Sequence, residues 1–149
     1  MSHPLPNKID PLRLADQGVR LEGILPIAQM KRLSELLVRD DGQVQISLEF
    51  LKDDMAQRLL TGSIEAELYF VCQRCSEPVK ITLKIQPMLC PLLSERQLPQ
   101  CPKAYEPLIT EGEALSLIEL VEDELLLNMP MIPKHPENKC PKPLPDFLH

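Results

Sequence analysis

The amino-acid sequence predicts an α+β fold, in which an antiparallel β-sheet of four or more strands packs with two main helices. Apolar and polar residues alternate with period two through several consecutive segments, which is typical of half-buried strands. Two other segments carry helical spacing, and strands and helices do not alternate regularly, which favours α+β over α/β. The sheet could be a meander or a partly closed barrel, and a proline-rich C-terminal tail follows the second helix.

Length and composition indicate one globular domain over residues 1–149. Hydrophobic residues make up 44% of the chain and charged residues 26%, which is ordinary for a domain with one core. Aromatic residues make up only 3%, which disfavours recognition of single-stranded nucleic acid by base stacking. The net charge of −6 argues against strong non-specific binding to phosphate backbones. RNA could still bind through one local basic patch.

The start of the chain lacks a charged segment followed by an apolar one, and no apolar run reaches the length of a membrane span. We therefore expect a cytoplasmic protein with no membrane partner. Five cysteines in a reducing compartment are expected to be thiols or metal ligands and not a disulfide framework.

Alternation predicts the strands. They are expected over residues 19–25, 44–50, 57–71 and 79–89. Short connections between the last three predict an antiparallel meander. An extended arm is expected over 1–18, in which residues 10–15 could form one short turn. A proline-dotted connection is expected over 90–115, within which 104–109 could pair as an edge strand.

Two helices are predicted. Pro26 can begin a helix at its first position, and apolar residues then recur with helical spacing over about 27–38. Three basic residues lie near its exposed side: Lys31, Arg32 and Arg39. They could contact an anion or RNA, or they could simply form a solvated helix face.

The second helix is predicted over 117–128. Ser116 and Glu119 form a capping box at its start, and Pro130 prevents continuation. A helical projection places Glu122 on the solvent side and Glu124 inside the apolar arc. A buried carboxylate needs a partner, so Glu124 is either a structural tether, with Arg74 as one candidate partner, or a rim residue that reaches water.

Cys72 and Cys75 stand two residues apart in a turn between predicted strands. Zinc sites are often built from two close ligand pairs, and His135 with Cys140 could supply the second pair. This hypothesis requires the irregular tail over 130–149 to pack back towards the Cys72/Cys75 turn, and it makes Zn²⁺ the one cofactor expected.

Two alternatives to zinc remain. The thiols could be buried and unliganded, which is common in protein cores, or they could form a redox pair. A redox pair favours a helix N-terminus, whereas Pro78 and the following alternation indicate a strand. Cys90 is a spare ligand candidate and Cys101 a poorer one. No phosphate loop, nucleophile elbow or zinc-protease motif occurs, so we expect no catalytic residues, no enzyme and no small-molecule substrate.

If the protein contacts RNA, the basic candidates are Arg74 in the turn and Lys80 and Lys84 on the polar side of the next strand. The alternative is that they are ordinary solvent-facing residues on a sheet.

An ordered set of motifs resembles the YceD family, the large ribosomal RNA subunit accumulation proteins. The set comprises Cys72-Gln73-Arg74-Cys75-Ser76-Glu77-Pro78, the segment Leu120-Val121-Glu122-Asp123-Glu124-Leu125-Leu126-Leu127-Asn128-Met129-Pro130, then His135 and Cys140, together with Asp10-Pro11 and Tyr105-Glu106-Pro107. The resemblance implies a non-enzymatic ribosome biogenesis factor needed for accumulation of large-subunit (23S) ribosomal RNA. Its implied partners are that RNA or preribosomal proteins. The alternative is a zinc-stabilised protein-interaction adaptor without a direct RNA role.

Overall fold

The computed structural model describes residues 5–130 and 133–134. Its strands are β1 (Lys8–Ile9), β2 (Arg20–Pro26), β3 (Gln43–Lys52), β4 (Arg58–Val71), β5 (Pro78–Ile85), β6 (Met88–Leu92), β7 (Glu106–Ile109) and β8 (Leu115–Ser116). Its α-helices are α1 (Pro11–Gln17), α2 (Lys31–Ser34) and α3 (Leu117–Asn128), and short 3-10 segments cover Ile27–Gln29 and Glu95–Gln100.

The larger sheet has six strands, in the order β2-β3-β4-β6-β7, with β5 also paired to β4. Strands β2 to β5 form the predicted antiparallel meander. Strand β7 confirms the expected edge strand, but it runs parallel to β6, which alternation alone does not reveal. A separate two-stranded ladder joins β1 to β8. The α+β class is thus confirmed as a mostly antiparallel sheet with a few helices.

The 14-residue strand β4 changes partner along its length. Thr61 pairs with Met88 of β6, whereas Ile64 pairs with Ile85 of β5. Gly62 lies at this junction with φ of 142°, a conformation that favours glycine. A side chain there would collide with the backbone carbonyl oxygen of Ser47 on β3. Gly62 therefore lets one strand serve two neighbours.

The main core lies on one face of the sheet. Alternate residues of the central strands point into it, and they are fully or almost fully buried: Val44, Ile46, Leu48, Phe50, Leu60, Ile64, Ala66, Leu68 and Phe70. Leu117, Val121 and Leu125 of α3 close the core on this side. The opposite face is polar over most of its area, apart from a small second cluster around Leu59, Cys90 and Leu92.

The predicted first helix is wrong in extent. The chain makes a 3-10 turn over 27–29 and the single turn of α2, because Met30 between them has φ of −96° and ψ of 82°. Met30 and Leu33 are fully buried. Their helical spacing therefore reflects two anchors in the core and not a continuous helix.

The predicted extended arm is also wrong over much of 1–18. Asp10 accepts a hydrogen bond from the N–H of Arg13 at the start of α1, and Gly18 ends the helix in the left-handed conformation. This is the standard chemistry of a helix start and stop. Arg58 of β4 donates to Asp16 at 2.8 Å, which fixes α1 to the sheet.

Candidate functional site

The cysteine turn joins β4 to β5 in a hairpin, as predicted. The N–H of Cys72 donates to the carbonyl oxygen of Glu77, and the N–H of Ser76 donates to that of Cys72. Ser76 adopts a left-handed backbone with φ of 64°. Cys72 is buried in the main core, and Cys75 is half-buried beside it. The turn is therefore compact, and the backbone of Cys72 holds it closed.

A backbone N–H group faces the sulfur of Cys72. The N–H of Arg74 points at the Cys72 Sγ with a separation of 3.4 Å. Such N–H groups stabilise a thiolate, which is the form that binds metals. Among the described residues, no group of three or more His, Cys, Asp or Glu side chains could hold a metal ion. His135 and Cys140, the predicted second pair, lie outside the described residues.

One hydrogen bond joins the turn to the start of the tail. The N–H of Gln73 donates to the carbonyl oxygen of Pro133 at 2.7 Å. Pro133 precedes His135 by two positions and Cys140 by seven. The chain thus passes the cysteine turn shortly before the residues that the zinc hypothesis requires.

The two spare cysteines belong to the second cluster. Cys90 is buried there with Cys101 packed against it, and Gln57 donates to the Cys90 Sγ at 3.1 Å. Burial, with Cys101 beside it, raises the pKa of the Cys90 thiol to about 11. A thiol that stays protonated is a poor metal ligand, so this cluster is a packing feature.

The buried carboxylate of α3 is Glu122, not Glu124. Its side chain accepts the N–H of Leu33 at 3.0 Å and the Nε of Arg32 at 3.1 Å. Arg32 also contacts Asp123 at 2.6 Å, and these carboxylates, Asp123 first, raise the pKa of the guanidinium. Glu122 is 3% exposed, so the prediction that it faces solvent is wrong. The helical projection missed it because α2 covers that flank of α3.

The predicted tether between Glu124 and Arg74 is not among the ion pairs of the described residues. Glu124 is half-buried at a groove of about 430 Å³, which it lines together with Glu106 and Leu127. Burial raises the pKa of Glu124, and the charges of Glu106 and Asp123 raise it further.

The basic candidates lie around β5. Arg74 is half-buried in the turn, whereas Lys80 and Lys84 are exposed on the polar face, opposite Tyr69 and Glu65 in register. Structure brings the two lysines to one face, as the alternation predicts, and leaves Arg74 in the turn beyond the end of the strand.

Two other basic candidates are engaged within the protein. Arg32 binds the carboxylates of α3, and Arg39 binds both carboxylate oxygens of Asp41 at 2.7 Å. The Arg39 guanidinium also lies 4.9 Å from the centre of the Tyr69 ring. Neither arginine is therefore simply solvated.

Comparisons with known proteins agree with the sequence resemblance. The model of the family described as "Large ribosomal RNA subunit accumulation protein YceD" matches residues 60–147, which is more than half of the chain. A relative from Haemophilus influenzae with the same name is 32% identical over 137 residues, covering 91% of this chain and 79% of the relative. No solved structure matches the chain. Within the described residues, none of the helices combines the length and hydrophobicity that a membrane span requires. By the extent of both matches, the chain belongs to the YceD family.

Proposed function

We propose that this chain is a non-enzymatic, cytoplasmic factor in ribosome biogenesis that supports the accumulation of large-subunit (23S) ribosomal RNA. The observation that carries the proposal is the family match, because the matching family and the relative are both named for this role. The match begins in β4 and includes the cysteine turn, the groove and α3.

Among the described residues, Glu122 is the one buried charged group, and its contacts make it a poor candidate for a general acid or base. Glu122, the most buried carboxylate of α3, is saturated by Arg32 and the backbone of Leu33. A general acid or base must instead be within reach of a substrate. Because Glu122 is buried and bonded to residues of α2, its role is to hold α2 against α3.

Depletion of the protein in its own cell tests the proposal. We expect the steady-state ratio of large-subunit to small-subunit ribosomal RNA to fall, and expression of the wild-type chain to restore it. A ratio that stays unchanged while the protein disappears would refute the proposal.

Particle association separates this proposal from that of an adaptor without a ribosomal role. A ribosome factor is expected to co-sediment with precursors of the large subunit, whether it contacts RNA or preribosomal proteins. An adaptor with unrelated partners would stay at the top of the gradient. Lys80→Gln with Lys84→Gln should weaken the association if the lysines contact RNA phosphates, and increasing salt should mimic the effect.

A second property, zinc binding at the cysteine turn, is favoured by the N–H of Arg74 that points at the Cys72 sulfur. Cys72 and Cys75 would hold the ion from the hairpin, with His135 and Cys140 as proposed ligands from the tail. A bound zinc would fix the tail to the hairpin and contribute directly to folding stability.

Metal analysis of protein purified without a histidine tag tests this property. We expect about one equivalent of zinc, lost in Cys72→Ser and in the less buried Cys75→Ser. Cys101→Ser is the matched control, because that thiol belongs to the second cluster, and it should retain the metal. Metal-free protein that is fully stable in chelator would refute zinc binding.

A further inference from the structure

A groove runs between the C-terminal half of α3 and the junction of β5 with β6. Its volume is about 430 Å³. Met88 is 42% exposed and Leu127 is 73% exposed, although both are large apolar side chains. Both line this groove. Within the described part of the chain, these two apolar side chains are left open to solvent in the groove.

Two carboxylates lie in the groove beside these apolar side chains. Glu106 and Glu124 both line the groove, and the charge of Glu106 contributes to the raised pKa of Glu124. The helix α3 also ends here, at Asn128, with no basic residue in its last turn. Because the C-terminus of a helix carries partial negative charge, the carboxylates and the helix end act in the same direction.

One cation, Lys84, lies at the edge of the groove. It is exposed and stands opposite Glu65 on the polar face of the sheet. The two carboxylates Glu106 and Glu124 outnumber this cation among the residues that line the groove. The lining therefore carries a net negative charge.

We propose that this groove is a docking site for a basic protein segment, in which a lysine or arginine contacts Glu106 and Glu124 while a neighbouring apolar side chain covers Met88 and Leu127. Charge complementarity identifies the occupant. A cation would relieve the repulsion between the carboxylates and satisfy the helix end. The phosphate backbone of RNA would be repelled by the same two carboxylates.

The probe is a fluorescent peptide that alternates lysine with leucine, measured by fluorescence anisotropy with the full chain. Glu106→Gln with Glu124→Gln should weaken binding about tenfold, the scale of two partly exposed ion pairs. Glu49→Gln with Glu67→Gln is the control, because it removes the same charge from exposed positions on the polar face that do not line the groove. The control should change affinity less than about twofold.

The contribution of Met88 and Leu127 is tested by a second probe in which serine replaces leucine at equal charge. The serine peptide should bind more weakly to the wild-type chain, and Leu127→Ser should narrow the difference between the probes. Equal binding of the two probes would overturn the proposal, because the groove would then take any small cation. Displacement of the fluorescent leucine peptide by spermidine and by unlabelled leucine peptide at the same concentration would overturn it for the same reason.

Titration of the Glu124 carboxyl by NMR gives a readout that does not depend on affinity. Seating of a cation should lower its raised pKa, since an opposite charge favours the carboxylate. An unchanged pKa at saturating peptide, or equal weakening by both double variants, would show that the peptide binds elsewhere. None of these measurements depends on the proposed role in ribosomal RNA accumulation.

Discussion

Glu122 and Glu124 stand two residues apart on α3 and have different environments. Glu122 is held under α2 by Arg32 and the N–H of Leu33, whereas Glu124 lines an open groove beside Glu106. A helical projection cannot separate these roles, because it shows the direction of a side chain and not which element covers it. The position of α2 determines which of the two carboxylates is buried, and that position depends on contacts between residues far apart in sequence.

The clamp at Glu122 leads to a stability prediction. Glu122→Ala leaves the buried N–H of Leu33 without its acceptor, which should lower the free energy of unfolding by about 2–3 kcal/mol. Asp123→Ala is the control, since it removes an exposed contact with the same Arg32 and leaves no buried donor unsatisfied. Urea unfolding measures both variants. Equal losses would show that the surface ion pair, and not the buried hydrogen bond, joins the helices.

The raised pKa of Glu124 predicts a pH-dependent effect of Glu124→Gln. Between the ordinary pKa of glutamate and the raised pKa in the folded state, the folded protein holds more protons than the unfolded one. Stability conferred by Glu124 therefore falls as pH rises through that window. Glutamine removes this penalty.

The variant should accordingly melt at a higher temperature than wild type at about pH 7 and at nearly the same temperature at about pH 3.5, where the carboxyl is protonated in both states. The gain should be small, because Glu124 is only half-buried. Thermal unfolding at the two pH values measures it. A loss of stability at neutral pH would mean that the carboxylate has a favourable partner.

At the scale of elements, Gly62 is a position where the pairing of the sheet requires glycine. With φ of 142°, it lies where β4 leaves β6 and begins to pair with β5. Gly62→Ala should destabilise the protein by about 3–5 kcal/mol, because the added Cβ collides with the backbone of β3.

Gly18→Ala is the matched control for Gly62→Ala. Gly18 also has a positive φ, of 66°, but an added Cβ would meet no atom within 4 Å. The substitution should therefore show only the cost of a left-handed alanine, about 1 kcal/mol. If both alanine variants unfold at the same urea concentration, the collision at Gly62 is not important.

The meander of β2 to β5 could be predicted from sequence because each strand buries one face, and burial of one face produces alternation. The sequence also predicts the capped start of α3, and the structure confirms it: Ser116 accepts the N–H of Glu119 at 3.2 Å. The parallel pairing of β7 could not be predicted, because a four-residue strand carries no sign of its partner. The break at Met30 could not either, since buried anchors in a loop imitate helical spacing.

At the scale of the whole molecule, the part of the chain that the structure describes presents three surfaces of different chemistry. The polar face of the sheet carries Lys80 and Lys84, the groove places two carboxylates beside two exposed apolar side chains, and the cysteine turn meets the start of the tail through Gln73 and Pro133. The two lysines, the groove and the cysteine turn all lie within residues 60–147, the part that matches the family model. The sequence identified the turn and the lysines, but the groove escaped detection because its residues come from three separate segments.

The most direct test of the proposed function is the synthesis and decay of newly made ribosomal RNA during depletion of the protein. Pulse-labelling followed by a chase separates lower production from faster loss. The proposed role predicts that labelled large-subunit RNA is lost during the chase while small-subunit RNA persists, and that wild-type chain restores the balance. Equal survival of both labelled RNAs after the protein has disappeared would contradict it.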